Sequence, residues 1–435
     1  MTVLAAAASA ESAATGTLAA LTVVILAAAC FSRAASRLRQ PIVIGEIAAG
    51  IALGPSLLGL LPGDISATLF PPQVVAILAS ISQLAIACYM FCVGYETDLG
   101  ELRARPRGVF AVAAAATAVP LAGGFGVGLL LQRLLGPESD PMLPVFTGIL
   151  LSVTAVPVLT RILDERGLRR TPAGTVSLGA AAVCDIAAWL LLALATSVGG
   201  RGHSGFAPLA TCALLAGFTV VMFTVGRRLL GEALARARTL PGMALLMAIL
   251  LGSTWFSSWI GLHAVFGALL CGVAAPRRPG GAPDTAVLAR LHGVGGLLLP
   301  AFFVVAGLGV HLDGGDSTMW LLLLLVTAVA VTVKLVPAAV AARLTGLDRR
   351  QSLVVGALMN TRGLTELIAI QVAYAAGVID GRLYTVFVLM ALVTTAATGP
   401  MLDALRARSA PAASRPSLRE EFATAGARPH AVGDY

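Results

Sequence analysis

The sequence SLVVGALMNTRGLTELIAIQVAYAAG occupies residues 352–377. It is long and apolar enough to cross a bilayer, which requires about 20 mostly apolar residues. The polar stretch Asn360-Thr361-Arg362-Gly363 interrupts it near the middle. Backbone groups at such an interruption lie outside the helix ladder. We therefore predict a membrane span whose helix is broken at this point.

The composition of the whole chain indicates an all-α integral membrane protein. Of its 435 residues, 57% are hydrophobic and 12% are charged, whereas soluble domains carry roughly 25% charged residues. Most of the chain is therefore expected to face lipid or other helices. Breaks at proline, glycine and charge clusters give thirteen candidate spans, near residues 15–33, 41–61, 73–95, 108–132, 142–163, 172–198, 206–229, 239–257, 259–275, 287–310, 317–342, 352–377 and 383–405.

The distribution of arginine predicts the orientation of these spans. Of 29 arginines, 25 lie in alternate loops or in the C-terminal tail, whereas the opposite loops hold only Arg133, Arg201 and Arg382. Short cytoplasmic loops collect Lys and Arg, so we expect an odd number of spans with the N-terminus outside and the C-terminus cytoplasmic. The tail, residues 406–435, is expected to be disordered. The net charge of +8 is weak evidence for nucleic-acid binding, and no nucleic-acid partner is expected.

Asp185 lies near the middle of the sixth span, in the stretch GAAAVCDIAAW at residues 179–189, with no opposite charge within one helical turn. A charge at mid-bilayer costs about 2.5–3.5 kcal/mol on insertion scales, so such residues are usually functional or paired. A carboxyl group away from water can hold a proton near neutral pH and exchange it for a monovalent cation. Asp185 is therefore the leading candidate for a shared proton and cation site. The alternative is a structural carboxylate that pairs with another helix.

Lys334 is the single lysine among 30 basic residues, and it lies in the eleventh span. Lysine can lose its proton when it is desolvated, whereas arginine practically cannot. A site that needs a releasable proton would therefore retain lysine. The alternative is a side chain that reaches a membrane interface.

Four further polar residues lie inside spans. Arg362 and Glu366 are four residues apart and are expected to share a helix face and enter the bilayer as an ion pair. We predict a structural or gating role for this pair, with direct ion contact as the alternative. Glu46 is expected to be structural, and His263 is expected to be a packed polar residue rather than a proton relay.

The fifth span contains a second interruption, SVTAVPVLT at residues 152–160. Pro157 breaks the helix ladder and frees backbone carbonyls, which can replace the hydration shell of a cation. The two interruptions occupy matching positions in spans 1–6 and spans 8–13, which have opposite orientations around one linker span. This pattern is typical of inverted repeats in secondary transporters. We predict one transmembrane domain over residues 1–405.

Six stretches point to a known family: RQPIVIGEIAAGIALGPS at 39–56, SVTAVPVLTR at 152–161, Cys184-Asp185, LHAVFGAL at 262–269, PAFFVVAGL at 300–308 and MNTRGLTE at 359–366. In these stretches the chain resembles the monovalent cation:proton antiporter superfamily, in the branch that contains plant and fungal cation/proton exchangers. The resemblance covers residues from about 15 to 405.

The resemblance implies a sodium/proton antiporter-like fold of thirteen helices, with two crossed broken helices in a core domain and a separate dimerisation domain. It implies a homodimer in the lipid bilayer that works by an elevator-like movement. Asp185 would bind the transported cation and the proton, and Ser152, Thr154 and nearby backbone would line the site. Lys334 matches a lysine position of electrogenic bacterial members.

One position departs from the family pattern. Members usually place Asp or Asn immediately before the key aspartate, whereas this chain has Cys184. Cys184 remains a candidate for the ion and proton site. The acid that pairs with the lysine in electrogenic members is absent, so we hypothesise that Lys334 is neutral or pairs with Asp185. Exchange is then expected to be electroneutral.

The predicted function is exchange of Na⁺ or K⁺ for H⁺ across the cytoplasmic membrane, without a cofactor. The alternative is an exporter of an organic compound or an ionophore–cation complex, which predicts a wide apolar cavity beside Asp185. A ligand-gated channel is less consistent, because no ligand-binding domain is expected after residue 405. No nucleophile–base pair, metal cluster or phosphate loop stands out in the sequence, so no enzyme is expected. The six cysteines are expected to be small buried hydrophobic side chains.

Overall fold

The structure, a computed structural model, describes residues 2–38, 40–63, 65–96, 106–136, 139–198, 208–237, 239–260, 262–278, 282–312, 314 and 316–407. Within these residues every regular element is a helix. Most of the predicted disordered tail, from residue 408 onward, and the loop that contains Arg201 lie outside the described residues.

The α-helices are numbered in chain order. Their bounds are α1 Thr2–Arg37, α2 Ile42–Leu53, α3 Ile65–Leu69, α4 Pro72–Glu96, α5 Pro106–Leu135, α6 Leu143–Ser152, α7 Val156–Glu165, α8 Pro172–Val198, α9 Pro208–Val221, α10 Arg227–Arg236, α11 Leu240–Trp259, α12 Ala264–Ala274, α13 Thr285–Leu308, α14 Ser317–Leu344, α15 Arg349–Met359, α16 Leu364–Ala375 and α17 Gly381–Ala407. A π-helical turn, Met222–Gly226, joins α9 to α10.

Many of the described helices are long and apolar enough to cross a membrane. Ten continuous helical segments pass this test, some of them made of consecutive helices, and α15 with α16, bent by 40° at their break, pass it together. The two remaining predicted spans, 142–163 and 259–275, coincide with shorter helices, namely α6 with α7 and α12. The multi-pass helical architecture is confirmed, whereas the count of thirteen spans stays a prediction.

The predicted boundary between the eighth and ninth spans is displaced by a few residues. The sequence suggested a break at Ser257 and Ser258, but both serines belong to α11. Each hydroxyl donates a hydrogen bond to the carbonyl of Thr254, one turn earlier. Serine is compatible with a membrane helix when its hydroxyl is satisfied in this way, so α11 continues to Trp259 and His263 caps the start of α12.

The helices pack as two bundles. The first bundle contains α1, α2, α4, α11, α12 and α13, and the second contains α5 to α8 and α14 to α17. α9 and α10 connect the two bundles along the chain. The largest hydrophobic cluster includes side chains of both, such as Phe91 of the first and Trp189 of the second. The two interruptions predicted from the sequence both lie in the second bundle.

The cysteines follow the prediction with one exception. Cys88, Cys92, Cys184 and Cys271 are free and buried, as expected. Cys30 is exposed, because it lies on the outward face of α1. Burial was therefore wrongly predicted for Cys30: an apolar span that packs on one side presents its other side to lipid. The side chain of Cys212 lies outside the described set.

Candidate ion-binding site

The two interrupted helices meet at their breaks. The first break, residues 153–155, separates α6 from α7, and the second, residues 360–363, separates α15 from α16. The backbone N–H of Ala155 donates to the carbonyl of Thr361 at 3.1 Å. A side chain at Gly363 would come within 2.7 Å of Val158 Cγ2. Glycine at this position therefore allows the start of α16 to lie directly against α7.

Two buried cations bind the carbonyl end of α6. Lys334 of α14 is fully buried, and its Nζ donates to the carbonyl of Ala116 at 2.7 Å and to the carbonyl of Ser152. The guanidinium of Arg362 donates to the carbonyls of Leu150 at 2.9 Å and Leu151 at 3.1 Å. The last carbonyls of a helix are its partially negative end, so cations stabilise it there.

Arg362 and Glu366 form the predicted ion pair. Arg362 Nη1 lies 2.7 Å from Glu366 Oε1, and both side chains have no exposed surface. Arg362 precedes α16 rather than lying on it, and Glu366 occupies the first turn of α16. Glu366 Oε2 and Arg362 Nε have no hydrogen-bond partner among the described residues. The pair joins the two breaks, because the same guanidinium also binds α6.

Asp185 lies near the middle of α8, as predicted, and is 3% exposed. Its carboxylate lies beside the side chain of Thr365 in the first turn of α16. Its Oδ1 atom has no hydrogen-bond partner among the described residues. Asp185 is in no ion pair within the part of the chain that the structure describes, and Lys334 binds backbone carbonyls instead. The pairing of Lys334 with Asp185 is therefore not found.

The remaining predicted site residues lie close to the breaks but use their polar atoms differently. The Thr154 hydroxyl donates to the carbonyl of Met359 at 3.4 Å, which joins the two breaks a second time. The Ser152 hydroxyl bonds to Ile149 within α6, so Ser152 contributes its carbonyl rather than its side chain. The Cys184 sulfur accepts from Thr117 and contacts the carbonyl of Ala113, both on α5. Cys184 thus faces α5, while its neighbour Asp185 faces α16.

The second break is held by α17. The Thr395 hydroxyl accepts from the N–H of Arg362 at 3.0 Å and donates to the carbonyl of the same residue at 2.9 Å. Asn360 donates to the carbonyl of Thr394, and its Oδ1 has no partner among the described residues. Within the part of the chain that the structure describes, polar atoms without a partner at the crossing therefore belong to Asn360, Asp185, Arg362 and Glu366.

A cavity of about 1190 Å³ lies between the two bundles and is lined along α8 by Trp189 and later residues. Trp189, one turn after Asp185, lines it and stacks on His263 with ring centroids 6.5 Å apart. Gln83 and Gln371 add amide groups to its walls. His263 is half-buried and caps α12, which agrees with the predicted packing role. Asp185 itself is not among the described residues that line this cavity.

Glu46 is buried near the start of α2, where the positive charge of Arg161 on α7 acts on it. Glu46 belongs to the first bundle and Arg161 to the second, so this electrostatic interaction crosses between the bundles. The position agrees with a structural role.

Sequence reasoning did not single out Thr365 or Thr395. Thr365 lies within the motif MNTRGLTE, two residues after the glycine that precedes α16. A hydroxyl in the first turn after a break was an available signal. No such signal in the sequence identified Thr395, because its role depends on how α17 packs against the second break.

This fold and site define a class of protein: a multi-pass helical membrane protein with two broken helices that cross around a buried carboxylate. The sequence pattern described as "Sodium/hydrogen exchanger, transmembrane" matches residues 20–406, and the chain belongs to this family.

Relatives and solved structures agree with this assignment. The chain is 36% identical to the Na⁺/H⁺ antiporter NhaS4 of Synechocystis over 84% of this chain and 91% of that protein. It is 35% identical to cation/H⁺ antiporter 17 of Arabidopsis thaliana over 85% of this chain, and it spans only 46% of that longer relative. The fold resembles the sodium proton antiporter MjNhaP1 of Methanocaldococcus jannaschii with a TM-score of 0.63 and 14% identity, over 90% and 97% of the two chains. These similarities give no support to the alternative of an organic exporter.

Proposed function

We propose that this protein is a secondary active antiporter that exchanges Na⁺ or K⁺ for H⁺ across the cell membrane. The observation that supports this most is Asp185, a buried carboxylate with an unpartnered oxygen beside the crossing of two broken helices. The names of the relatives, which are Na⁺/H⁺ and cation/H⁺ antiporters, agree with it.

Exchange follows from competition at one carboxylate. In one state Asp185 holds a proton as a neutral acid. Loss of that proton to water on one side leaves a negative group that attracts a monovalent cation, and the cation must leave before a proton returns. The hydroxyls of Thr365 and Thr154 and the carbonyl of Ser152 lie on the segments around the crossing and are our candidates for positioning the cation. Cys184 acts on this site indirectly, since its sulfur faces α5.

Alternating access requires the site to face each side in turn. The cavity between the two bundles reaches Trp189, one helical turn from Asp185, and we propose that the site opens toward this cavity in one state. We propose that the second bundle, with the site, moves past the first bundle in an elevator-like step, and that two copies of the first bundle form a homodimer in the lipid. We further propose thirteen spans in inverted repeats, with the N-terminus outside.

We propose that exchange is electroneutral. The buried charges near the breaks are those of Lys334, Arg362, Glu366 and Asp185. Lys334 binds two carbonyls, and Arg362 binds Glu366 and two more. If these three groups keep their protonation, only Asp185 changes its occupant, and one proton replaces one monovalent cation. A strong dependence of the transport rate on membrane voltage in proteoliposomes would contradict this stoichiometry.

The decisive experiment measures proton flux from sealed vesicles after addition of Na⁺, K⁺ or Li⁺. Wild type is expected to respond to at least one cation, and Asp185→Asn is expected to abolish the response because an amide has no proton to release and no negative charge to attract a cation. The matched control is Asp164→Asn, which removes an exposed carboxylate paired with Arg169. It should leave the response intact. Wild-type vesicles that move no protons with any of the three cations would disprove the antiporter assignment.

A further inference from the structure

We propose that a pocket on the arginine-rich side of the membrane binds the phosphate headgroup of an anionic phospholipid. The pocket lies in the first bundle and its connection to α10, away from Asp185. It has a volume of about 530 Å³ and is formed where α4 ends, α10 ends and α13 begins. Gly231 and Ala235 on α10 and Ala286 on α13 line it and occupy little space, which leaves the interior open.

The pocket is strongly basic. Arg277, Arg278 and Arg290 line it, and Asp284 is the one acid among the described lining residues. The Asp284 carboxylate is already used twice: Oδ1 caps α13 through the N–H of Ala286 at 2.9 Å, and Oδ2 binds Arg278. Among the described lining residues, three guanidinium groups therefore stand against one carboxylate. The planar fork of arginine matches the oxygens of a phosphate group.

The walls of the pocket are held in place by hydrogen bonds that connect separate segments. The Tyr95 hydroxyl, at the end of α4, donates to the carbonyl of Pro276 at 3.3 Å and accepts from the N–H of Asp284 at 3.0 Å. It thereby fixes both ends of the connection between α12 and α13. Arg290 donates to the carbonyl of Ala237, just after α10, at 2.6 Å. These hydrogen bonds between separate segments hold in place the backbone that carries the guanidinium groups.

An apolar strip on the helix surface points to a lipid rather than to free phosphate. Arg290, Val294 and Leu297 follow each other at spacings of four and three residues, so they share one face of α13. Val294 is 44% exposed and Leu297 is 61% exposed. In a membrane this surface contacts acyl chains. A phospholipid can therefore place its phosphate among the arginines and its chains along Val294 and Leu297. Basic pockets between helix ends commonly hold anionic headgroups.

The test uses the purified full chain in a neutral detergent. The unfolding temperature is measured with phosphatidylglycerol, with phosphatidylcholine of the same chains, and with inorganic phosphate alone. Native mass spectrometry counts the lipids that stay bound. We expect phosphatidylglycerol to raise the unfolding temperature and to remain bound, whereas phosphatidylcholine does neither.

Paired variants locate the site. Arg277→Gln with Arg290→Gln is expected to weaken phosphatidylglycerol binding about 30-fold, the effect of two basic residues near a membrane surface. Arg349→Gln with Arg350→Gln removes the same charge from the exposed start of α15 and should bind as wild type does. Arg277→Lys with Arg290→Lys keeps the charge without the fork, and we expect intermediate binding. This lysine variant also tests the site if the glutamine variant does not fold.

Three outcomes would overturn the proposal. The first is equal retention of the two lipids by wild type. The second is equal loss of binding in the pocket variant and in the Arg349/Arg350 variant, which would indicate a general charge effect. The third is an arginine-dependent shift of the same size with inorganic phosphate alone, which would assign the pocket to a soluble anion.

Discussion

The two broken helices cross as partners, but their free backbone groups are satisfied in different ways. At the first break, the carbonyls of Leu150, Leu151 and Ser152 bind cationic side chains. At the second break, the backbone of Arg362 binds the neutral hydroxyl of Thr395. One break is therefore stabilised by charge and the other by neutral hydrogen bonds.

The groups that bind the two breaks also come from different parts of the chain. The cations at the first break come from Lys334 on α14 and from Arg362 in the second break, both far along the chain. Thr395 lies only 33 residues after its partner. The first break therefore depends on the assembled bundle, whereas the second depends on one neighbouring helix. Since Asp185 meets the second break through Thr365, the proposed ion-binding group lies beside the neutral break, and fixed positive charge is concentrated at the other.

The largest effect is expected from Arg362→Gln. This change removes the guanidinium from two carbonyls of α6 and leaves Glu366 as an unpaired buried charge. Loss of one partner of a buried pair costs about 3–5 kcal/mol. We expect a decrease of this size in the free energy of unfolding, measured by denaturant titration in mixed micelles.

The chain contains a matched control for Arg362→Gln. Arg161 and Glu165 form an ion pair with the same spacing and the same 2.7 Å distance, but their side chains are 41% and 50% exposed. Glu165→Gln is expected to cost about 0.5 kcal/mol or less. Equal effects of the two changes would show that burial does not decide the strength of the Arg362 pair.

A smaller effect is expected from Lys334→Met, which leaves the carbonyls of Ala116 and Ser152 without a donor but exposes no unpaired charge. An unsatisfied buried acceptor costs about 1–3 kcal/mol, and relief from burying the ammonium offsets part of this cost. We expect a net loss of about 1–3 kcal/mol in the same titration. Lys334→Gln retains N–H donors and should lose less. A loss with Gln as large as with Met would show that the carbonyl contacts are not what Lys334 provides.

Local sequence was sufficient to predict several of these features. Asp185, Arg362 and Glu366 are charged residues in apolar runs, and their cost in a membrane identifies them without knowledge of the fold. The second break coincides with its polar stretch. The first break was predicted from Pro157 but lies just before it, at residues 153–155, because proline is well tolerated in the first turn of a helix. α7 therefore begins at Val156.

Other features depend on contacts between distant segments. The carbonyls that bind Lys334 lie 218 and 182 residues away, and no local pattern relates them to a lysine. The sequence offered Asp185 as a possible partner because both residues are charged, but backbone carbonyls at a helix end also attract a cation. The orientation of Cys184 toward α5 likewise follows from packing, since neighbouring residues on a helix point about 100° apart.

Of the changes at the two breaks, the smallest effect is expected from Thr395→Val, which tests the neutral break directly. Valine has the shape of threonine but lacks the hydroxyl, so the N–H and carbonyl of Arg362 both lose their partner on α17. Hydrogen bonds between neutral groups contribute about 0.5–1.5 kcal/mol each, and we expect a loss of about 1–2 kcal/mol for the two together. Thr395→Ser, which keeps the hydroxyl, should recover most of this stability.

The neutral break adjoins Thr365 and Asp185. Thr395→Val should therefore also weaken cation-triggered proton flux by more than its stability loss explains. Lys334→Gln should not change the position of Asp185. A Thr395→Val protein with unchanged flux and stability would show that α16 is held against Asp185 by its apolar packing alone.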